Sequence, residues 1–496
     1  MQVPVLLRPV PGPLDLAAWA EAASSEHHLV WLDGDGGRTP RGRWSFLTWN
    51  PHRTLQAHAD RLVATEWSQG VPGSRTEHRG DPLLALGETL AREAVEPAPN
   101  EPRMRPRDDD SVPWISGAIL ALGFELADSI ERQVQLPAPA ATDPLRAWPD
   151  LAVACFDSVL ALDEGAGRLW LAARLPADRA PSGVLTTFER TRAIAAASTR
   201  GVPIPTAPLL PPPARVAAPA EYRARVAAIQ AHLAAGEVYQ VNLSRALRAS
   251  WPGSPLALFT RHRALGRVPH GAYLDLGSGQ AVAAFTPERF LRQRGRAIET
   301  SPIKGTRPRR ATPAADRHQI EELRSSAKDR AEHLMIVDLE RNDLGRVCVP
   351  GSIHVEPLFG VESYPSVHHL VSTVHGTLRP EVSPLALLRA TFPGGSVTGA
   401  PKIRAIDLLR RLEGEPRHLY TGALGYWDRA GDLDLALPIR TALLAAGAIE
   451  YRVGGGIVID SDPDAEWRET EDKALAFTQV LAGIESGVAP AIGSRR

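Results

Sequence analysis

Lys304 stands in Ser301-Pro302-Ile303-Lys304-Gly305-Thr306, a strand-to-turn segment in which a long cationic side chain has no packing role. Pro302 fixes one φ and Gly305 frees another, so the backbone is shaped here for something other than helix or ladder continuity. An amine attacks carbon only when uncharged. A nucleophilic Lys304 therefore needs surroundings that disfavour its ammonium, through burial or nearby positive charge. Without further context the same segment also describes an ordinary surface lysine at a turn. Two carboxylate pairs offer a second chemistry. Asp329 and Glu332 stand three apart in a helical pattern, and Glu466 and Glu469 repeat that spacing near the C-terminus. Each pair shares one helix flank, where like charges repel unless a cation or substrate group separates them. Paired acids from distant segments suit Mg²⁺, which takes a few carboxylates, water and an anionic ligand. Either pair alone reads first as a solvated helix face.

Two glycine-rich segments could hold an anion. Phe392 to Lys402, with Gly394, Gly395, Ser396 and Gly399, runs into a helical pattern at Ile403, Ile406, Leu409 and Leu412, with Pro401 in its first turn. It is not a nucleotide-binding P-loop, because Ala400 follows Gly399 where that motif needs lysine. Gly454-Gly455-Gly456 precedes Ile457-Val458-Ile459 and lets backbone N–H groups approach a ligand closely. Neither segment has dinucleotide-binding spacing, so a carboxylate is the expected guest.

These groups need elements to hold them. Tyr222, Val226, Ile229 and Leu233 recur at helical spacing, with Gly236 placed as the C-terminal cap. In the strand that follows, Tyr239, Val241 and Leu243 alternate with Gln240, Asn242 and Ser244, giving an apolar face and a polar one. The polar face reads as a site wall or as a solvated sheet face. Ala272 to Leu276 and Ala281 to Phe285, joined by Gly277-Ser278-Gly279, predict a hairpin. Ile320, Leu323, Ala327, Ala331 and Leu334 predict one helix from Asp316 to Asp338. Earlier in the chain, Leu29 to Leu32 and Leu169 to Ala173 read as short strands, and Pro97 to Pro113 as a loop.

The prolines from Gly201 to Pro213 must run extended. They suggest an N-terminal part over 1–200, a linker over 201–219, a catalytic part over 220–485 and a tail over 486–496. With 496 residues, 44% apolar and 23% charged, the chain has ordinary globular composition. A net charge of −1 provides no global field for nucleic acid or an anionic membrane. Cys155 and Cys348 are far apart and in no metal or redox spacing. No apolar run reaches the ~18 residues of a membrane span, and no secretory signal pattern opens the chain. A cytoplasmic location, with small molecules or proteins as partners, is expected.

The ordered segments Thr286-Pro287-Glu288-Arg289-Phe290, Pro302 to Thr306, Lys328-Asp329-Arg330-Ala331-Glu332-His333 and Val367-His368-His369-Leu370-Val371-Ser372 closely resemble the chorismate-utilising enzymes. Phe392 to Lys402, Ala436 to Thr441, and Gly454 through Glu469 resemble that family's remaining site blocks. The resemblance implies an α+β fold of four layers, with two large facing antiparallel β-sheets and outer helices. Within the family, Pro-Ile-Lys-Gly-Thr marks the aminodeoxychorismate synthase component I branch, and alanine at the lysine marks anthranilate synthases. Gln240 stands where the water-using isochorismate and salicylate synthases of the family carry lysine.

The resemblance further implies that Lys304 adds to chorismate at C2 and that Glu288 protonates the departing C4 hydroxyl. Ammonia would then add at C4, giving 4-amino-4-deoxychorismate. It implies Mg²⁺ on Glu332 and Glu469, with Asp329 and Glu466 acting through water. It places Tyr420 and Arg440 on the enolpyruvyl carboxylate and His369 near the C4 substituent. Ser396, Gly399, Gly455 and Gly456 would line the carboxylate cradles, with His368 packed elsewhere. Neither cysteine stands in the Gly-x-Cys-x-Gly turn of a glutaminase, so a separate glutamine amidotransferase subunit is the expected ammonia source. Thr286, Pro438 and Trp467 depart from the commonest family residues, and Leu29 to Gly34 only partly resembles the segment where relatives bind tryptophan.

Overall fold

The computed structural model of the chain describes residues 5–11, 14–95, 112–130, 147–174, 181–197 and 213–483. Most of the 97–113 loop, residues 201–212 of the proline-rich stretch and the 486–496 tail lie outside the described residues. The structure is built on two large antiparallel sheets. One, of twelve strands, runs Val5–Pro9, Arg168–Arg174, Ser158–Asp163, Trp44–Thr48, Val30–Asp33, His270–Gly277, Gln280–Thr286, Thr441–Ala445, Ala448–Ile457, Gln240–Ser250 and Ala214–Arg215, with Gly399–Ala400 also paired to Gln240–Ser250. The other, of eleven, runs from His354–Val355 through Val374–Thr377, Ala297–Ser301, Arg289–Arg294, Leu433–Ala436 and Ala423–Asp428 to Gly117–Leu122, and on to Val71–Arg79.

The sheets face each other. Val30, Phe46, Ala272 and Val282 of the first share a core with Ile119, Ala152, Leu424 and Tyr426 of the second. Helices cover both outer faces: Leu16–Ala22, Pro255–Leu265 and Pro463–Leu481 on the first sheet, and Pro82–Glu93, Ala327–Gly345 and Pro384–Thr391 on the second. This is the expected α+β four-layer arrangement. Covering on both faces explains strands such as Gly117–Leu122, which are buried at every position and show no polar alternation.

Local expectations hold at several places. The helix Pro219–Ala234 ends before Gly236, which takes φ 73°. The hairpin His270–Gly277 and Gln280–Thr286 turns through Ser278 and Gly279, both at positive φ, as a two-residue loop requires. The helix expected over Asp316 to Asp338 is instead two, Pro313–Ser325 and Ala327–Gly345. Ser326 takes extended dihedrals between them, and its hydroxyl accepts from the Asp329 N–H at 3.2 Å. A capping serine thus outweighs the continuous apolar period, because it satisfies an N–H that would otherwise be left free. The acidic helix therefore starts afresh next to Asp329. Pro401 is the residue just before the helix Lys402–Glu413, one place earlier than expected.

A third, three-stranded sheet carries Lys304 and His369: Ile303–Pro308, Val367–Val371 and Gly360–Ser363. It packs against the helices Pro313–Ser325 and Ala327–Gly345.

Candidate active site

The amine of Lys304 points to the paired ends of the Gln240–Ser250 and Ala448–Ile457 strands. A methyl group placed on Gly456 would lie 3.3 Å from Lys304 Nζ and 3.1 Å from the Gln240 amide carbon. Gln240 is fully buried, and neither its amide nitrogen nor its amide oxygen has a partner. The polar face of that strand is thus a buried site wall, with Asn242 and Ser244 equally shielded. Beneath it, Gly399 takes φ 138°, and a Cβ there would come within 2.2 Å of the Gln240 carbonyl, so no side chain fits.

Glu288 is buried and accepts a hydrogen bond from Ser396 Oγ at 2.7 Å. Thr286 keeps the hydroxyl that orients it: Oγ1 accepts from the Glu288 N–H at 3.3 Å and donates to the Leu437 carbonyl at 2.6 Å. Burial pushes the Glu288 carboxyl up, opposed by the Ser396 hydrogen bond and by Lys304. Burial likewise pushes Lys304 down, helped by the neighbouring ammonium of Lys473 and opposed by Glu288, Glu332 and Glu469. Both shifts run toward the neutral forms, while the attraction between the two groups opposes them.

The acids lie on the other side of Lys304. Glu466 accepts from Ser461 Oγ at 2.7 Å, while its Oε2 is buried without a partner, 3.0 Å from where a Gly455 Cβ would sit. Glu469 is ion-paired with Lys473 at 2.6 Å, and Lys473 also donates to the Gly454 carbonyl at 2.7 Å. Glu332, half-buried, has Lys328 at 3.8 Å. Burial raises both Glu332 and Glu466, with repulsion from Glu469 adding to it. Asp329 is turned to Arg307 at 2.9 Å. An orphaned carboxylate oxygen among mutually repelling acids fits a hard divalent cation. Among the described residues, ligand atoms of three His, Cys, Asp or Glu side chains gather within 4.8 Å only at His52, Glu93 and Cys155, where Arg429 already pairs with Glu93; the acids around Lys304 stand farther apart than that.

His369 is buried and lowered to about 3, chiefly by burial and then by Arg440. Its Nδ1 shares a 2.9 Å hydrogen bond with Thr306 Oγ1, and its ring sits 5.5 Å from that of Tyr364. Arg440 takes φ 52° and has no side-chain hydrogen bond or ion pair among the described residues. A non-glycine residue held in the left-handed region at a site is the kind of strain that functional residues carry. Tyr420 is buried and pushed up to about 12 by burial, with Arg440 and Arg417 within electrostatic reach. Arg417 binds Glu413 and the carbonyls of Asn242 and Val397, tying the cradle to the site strand. His368 points away, bonded to Ser363 and Asp316.

The structure therefore gathers Lys304, Glu288, Gln240, Ser396, Gly455, Gly456, Glu332, Glu466 and Glu469, with Gly399 beneath, and sets Arg440 within electrostatic reach of both Tyr420 and His369. Sequence reasoning missed Lys473, although its i,i+4 spacing from Glu469 was a visible signal. It also missed Glu340, buried on the acidic helix and accepting from Thr300 Oγ1 at 2.7 Å. Burial raises Glu340 from its ordinary 4.5 to about 8, with Glu288 and Asp343 adding to the rise. A raised carboxyl contributes stability that is complete below pH 4.5 and is lost as pH rises to about 8. Glu340→Gln is expected to unfold at higher urea than the parent at pH 9, by a few kcal/mol on the scale of ~1.4 kcal/mol per pKa unit. At pH 4.5 urea titrations should show little difference.

Buried acids around a free amine, beside two glycine-rich cradles, make this the candidate active site, and comparison with known proteins gives its family. The profile of the chorismate binding enzymes matches residues 29–479. Aminodeoxychorismate synthase component 1 of Salmonella typhimurium is 37% identical over 90% of this chain and 92% of its own length. Anthranilate synthase component 1 of Streptomyces coelicolor is also 37% identical, over 82% of this chain and 78% of its own. The solved anthranilate synthase component I of Streptococcus pneumoniae superposes with a TM-score of 0.71 at 27% identity, covering 89% of this chain and 93% of that one. The menaquinone-specific isochorismate synthase of Escherichia coli, at 17% identity and a TM-score of 0.68 over 97% of this chain and 95% of that one, shares the fold. The chain belongs to the chorismate binding enzymes and is a chorismate-utilising enzyme.

Proposed function

We propose that this chain aminates chorismate at C4, yielding 4-amino-4-deoxychorismate for 4-aminobenzoate and folate synthesis. The observation that carries the reading is the Lys304 amine, set among Glu288, Gln240 and Gly456. The nitrogen of Lys304 bonds to C2, the diene electrons shift, and the C4–O bond breaks as Glu288 hands its proton to the leaving oxygen. Ammonia then bonds to C4, the electrons shift back, and the C2–N bond breaks to return the lysine. Glu288 recovers its proton from the added ammonia, so the sum is chorismate and ammonia to product and water. Gln240 lacks the basic group that would activate water in ammonia's place. Arg440 and Tyr420 offer a cation and a phenol to the enolpyruvyl carboxylate.

Glu332, Glu466 and Glu469 would hold Mg²⁺, with Asp329 farther out on Arg307; the bound ion supplies positive charge for the ring carboxylate. Glu469 must release Lys473 for this. The ammonia comes from a separate glutamine amidotransferase, in keeping with the component numbering of the relatives. Both cysteines are buried with their thiols pushed up, Cys348 to about 11, which is the reverse of an activated nucleophile. The protein works in the cytoplasm on this reading.

Incubation with chorismate, Mg²⁺ and ammonium, followed by a lyase that frees 4-aminobenzoate, tests the reading. The para amine is expected with ammonium, and none above background with glutamine alone. The ortho amine, anthranilate, would instead support the second reading, which the likeness to anthranilate synthases favours.

A further inference from the structure

Two neighbouring segments of the chain cross together from the first large sheet to the second. Ala284 pairs with Thr441 in the first sheet, and Arg289 pairs with Ala436 in the second. Between these pairs, Thr286-Pro287-Glu288 runs beside Leu437-Pro438-Ile439-Arg440, outside the register of either ladder. One segment carries the proton donor of the reading above, and the other carries its carboxylate-binding arginine. Pro287 and Pro438 have no N–H, so neither can close the gap with a ladder bond.

Other bonds lace the crossing. The Phe285 N–H donates to the Arg440 carbonyl at 3.1 Å, and the Leu437 N–H donates to the Glu288 carbonyl at 3.0 Å. Between them stands the Thr286 hydroxyl. Thr286 is fully buried, and its Oγ1 donates to the Leu437 carbonyl at 2.6 Å while accepting from the Glu288 N–H at 3.3 Å. It thus supplies a donor where the adjoining proline has none. The same Leu437 carbonyl accepts from the Ile439 N–H at 2.8 Å, an i to i+2 bond that closes a γ-turn around Pro438. A proline fixes the φ that such a turn uses. On its other side the turn is fastened by the Thr421 N–H, which donates to the Pro438 carbonyl at 2.9 Å, next to Tyr420. Thr441 Oγ1 donates to the Ile439 carbonyl at 3.1 Å. Arg440 leaves this turn at φ 52°. A non-glycine residue persists in that region only where its surroundings over-determine it, and here the turn and its lacing do so.

We propose that Thr286 is the positioning residue that fixes Glu288 and Arg440 relative to each other: one hydroxyl holds both the main chain of the acid and the start of the turn that presents the arginine. The proposal rests on the roles given to Glu288 and Arg440 in the reading above. It does not require Thr286 to touch substrate.

Thr286→Val keeps the shape of the side chain and removes the hydroxyl. In chorismate consumption, whichever amine forms, its kcat is expected to fall about thirtyfold and its KM to rise about tenfold. These are the scales of a misplacement of less than about 1 Å and of a lost buried hydrogen bond. Thr286→Ser restores the hydroxyl and is expected to stay within about threefold of the parent in both constants. A residue that acts through two others loses its effect once they are gone. In an Arg440→Met background, Thr286→Val should therefore raise KM by no more than about twofold further. In a Glu288→Gln background it should lower kcat by no more than about twofold further. Thr286→Cys, which fills similar space with a weaker donor, carries the same comparisons if Thr286→Val fails to fold. Parent-like constants in the folded variant, losses of equal size in all backgrounds, or Thr286→Ser no better than Thr286→Val would overturn the proposal. Parent-like KM in Arg440→Met alone, or parent-like kcat in Glu288→Gln alone, would instead defeat the roles assigned to those residues, and the proposal with them.

Discussion

Lys304→Ala is expected to lower formation of the 4-amino product by about a thousandfold or more, the scale seen when a covalent nucleophile is removed from other enzymes. The structure makes the substitution a clean one. Lys304 Nζ forms no hydrogen bond among the described residues, and its shortened side chain would face Gln240 and Gly456 rather than a packed core. Folding should therefore be unaffected, and chorismate binding should change little, because Arg440, Tyr420 and the glycine cradle stay in place. Stopped mixtures analysed by mass spectrometry should show parent protein with an added chorismate-derived mass that is absent from the variant. A rate within tenfold of the parent would remove the covalent step. A slower direct attack of ammonia at C4 sets the residual activity.

Glu288→Gln is expected to cost about a hundredfold to ten-thousandfold in kcat, the range for loss of a general acid. The amide can still accept from Ser396 Oγ, so the local geometry survives while the transferable proton does not. The pH dependence has a definite sign. Glu288 works only when protonated, and burial raises its carboxyl, so the parent rate falls as pH rises through that raised value. Lys304 works only when neutral, and burial lowers its ammonium, so the parent rate falls as pH drops through that lowered value. Glu288→Gln should keep the acidic limb of the kcat profile and lose the basic one. Retention of both limbs would show that a different group delivers the proton.

The sequence carried much of this site because its chemistry is local. Pro302 and Gly305 bracket Lys304 within a few residues, and the glycines of both cradles sit in contiguous runs, so their spacing alone pointed to close backbone approach. The alternating Gln240, Asn242 and Ser244 were visible too, but whether that face met water or a partner sheet depends on strands more than 150 residues away, as Gly455 and Gly456 show. The break at Ser326 was missed because apolar period and capping chemistry compete, and the period continued across it. Asp329 was read with Glu332 from spacing alone, yet Arg307 across the helix–sheet contact claims its carboxylate. Lys473 and Glu340 went unnoticed because a charged residue on a helix looks solvated until its neighbours are known.

The strand order of the two large sheets has one more implication. In the first, Val30–Asp33 from the early part of the chain pairs with His270–Gly277 from the late part; in the second, Gly117–Leu122 pairs with Ala423–Asp428. Each sheet is thus sewn from both parts of the polypeptide along a single seam. A nick between residues 197 and 213 would leave two pieces, each with raw edges that only the other matches. Coexpressed, the pieces should find each other and reconstitute one enzyme, whereas either alone would offer its bare strands to any chain within reach.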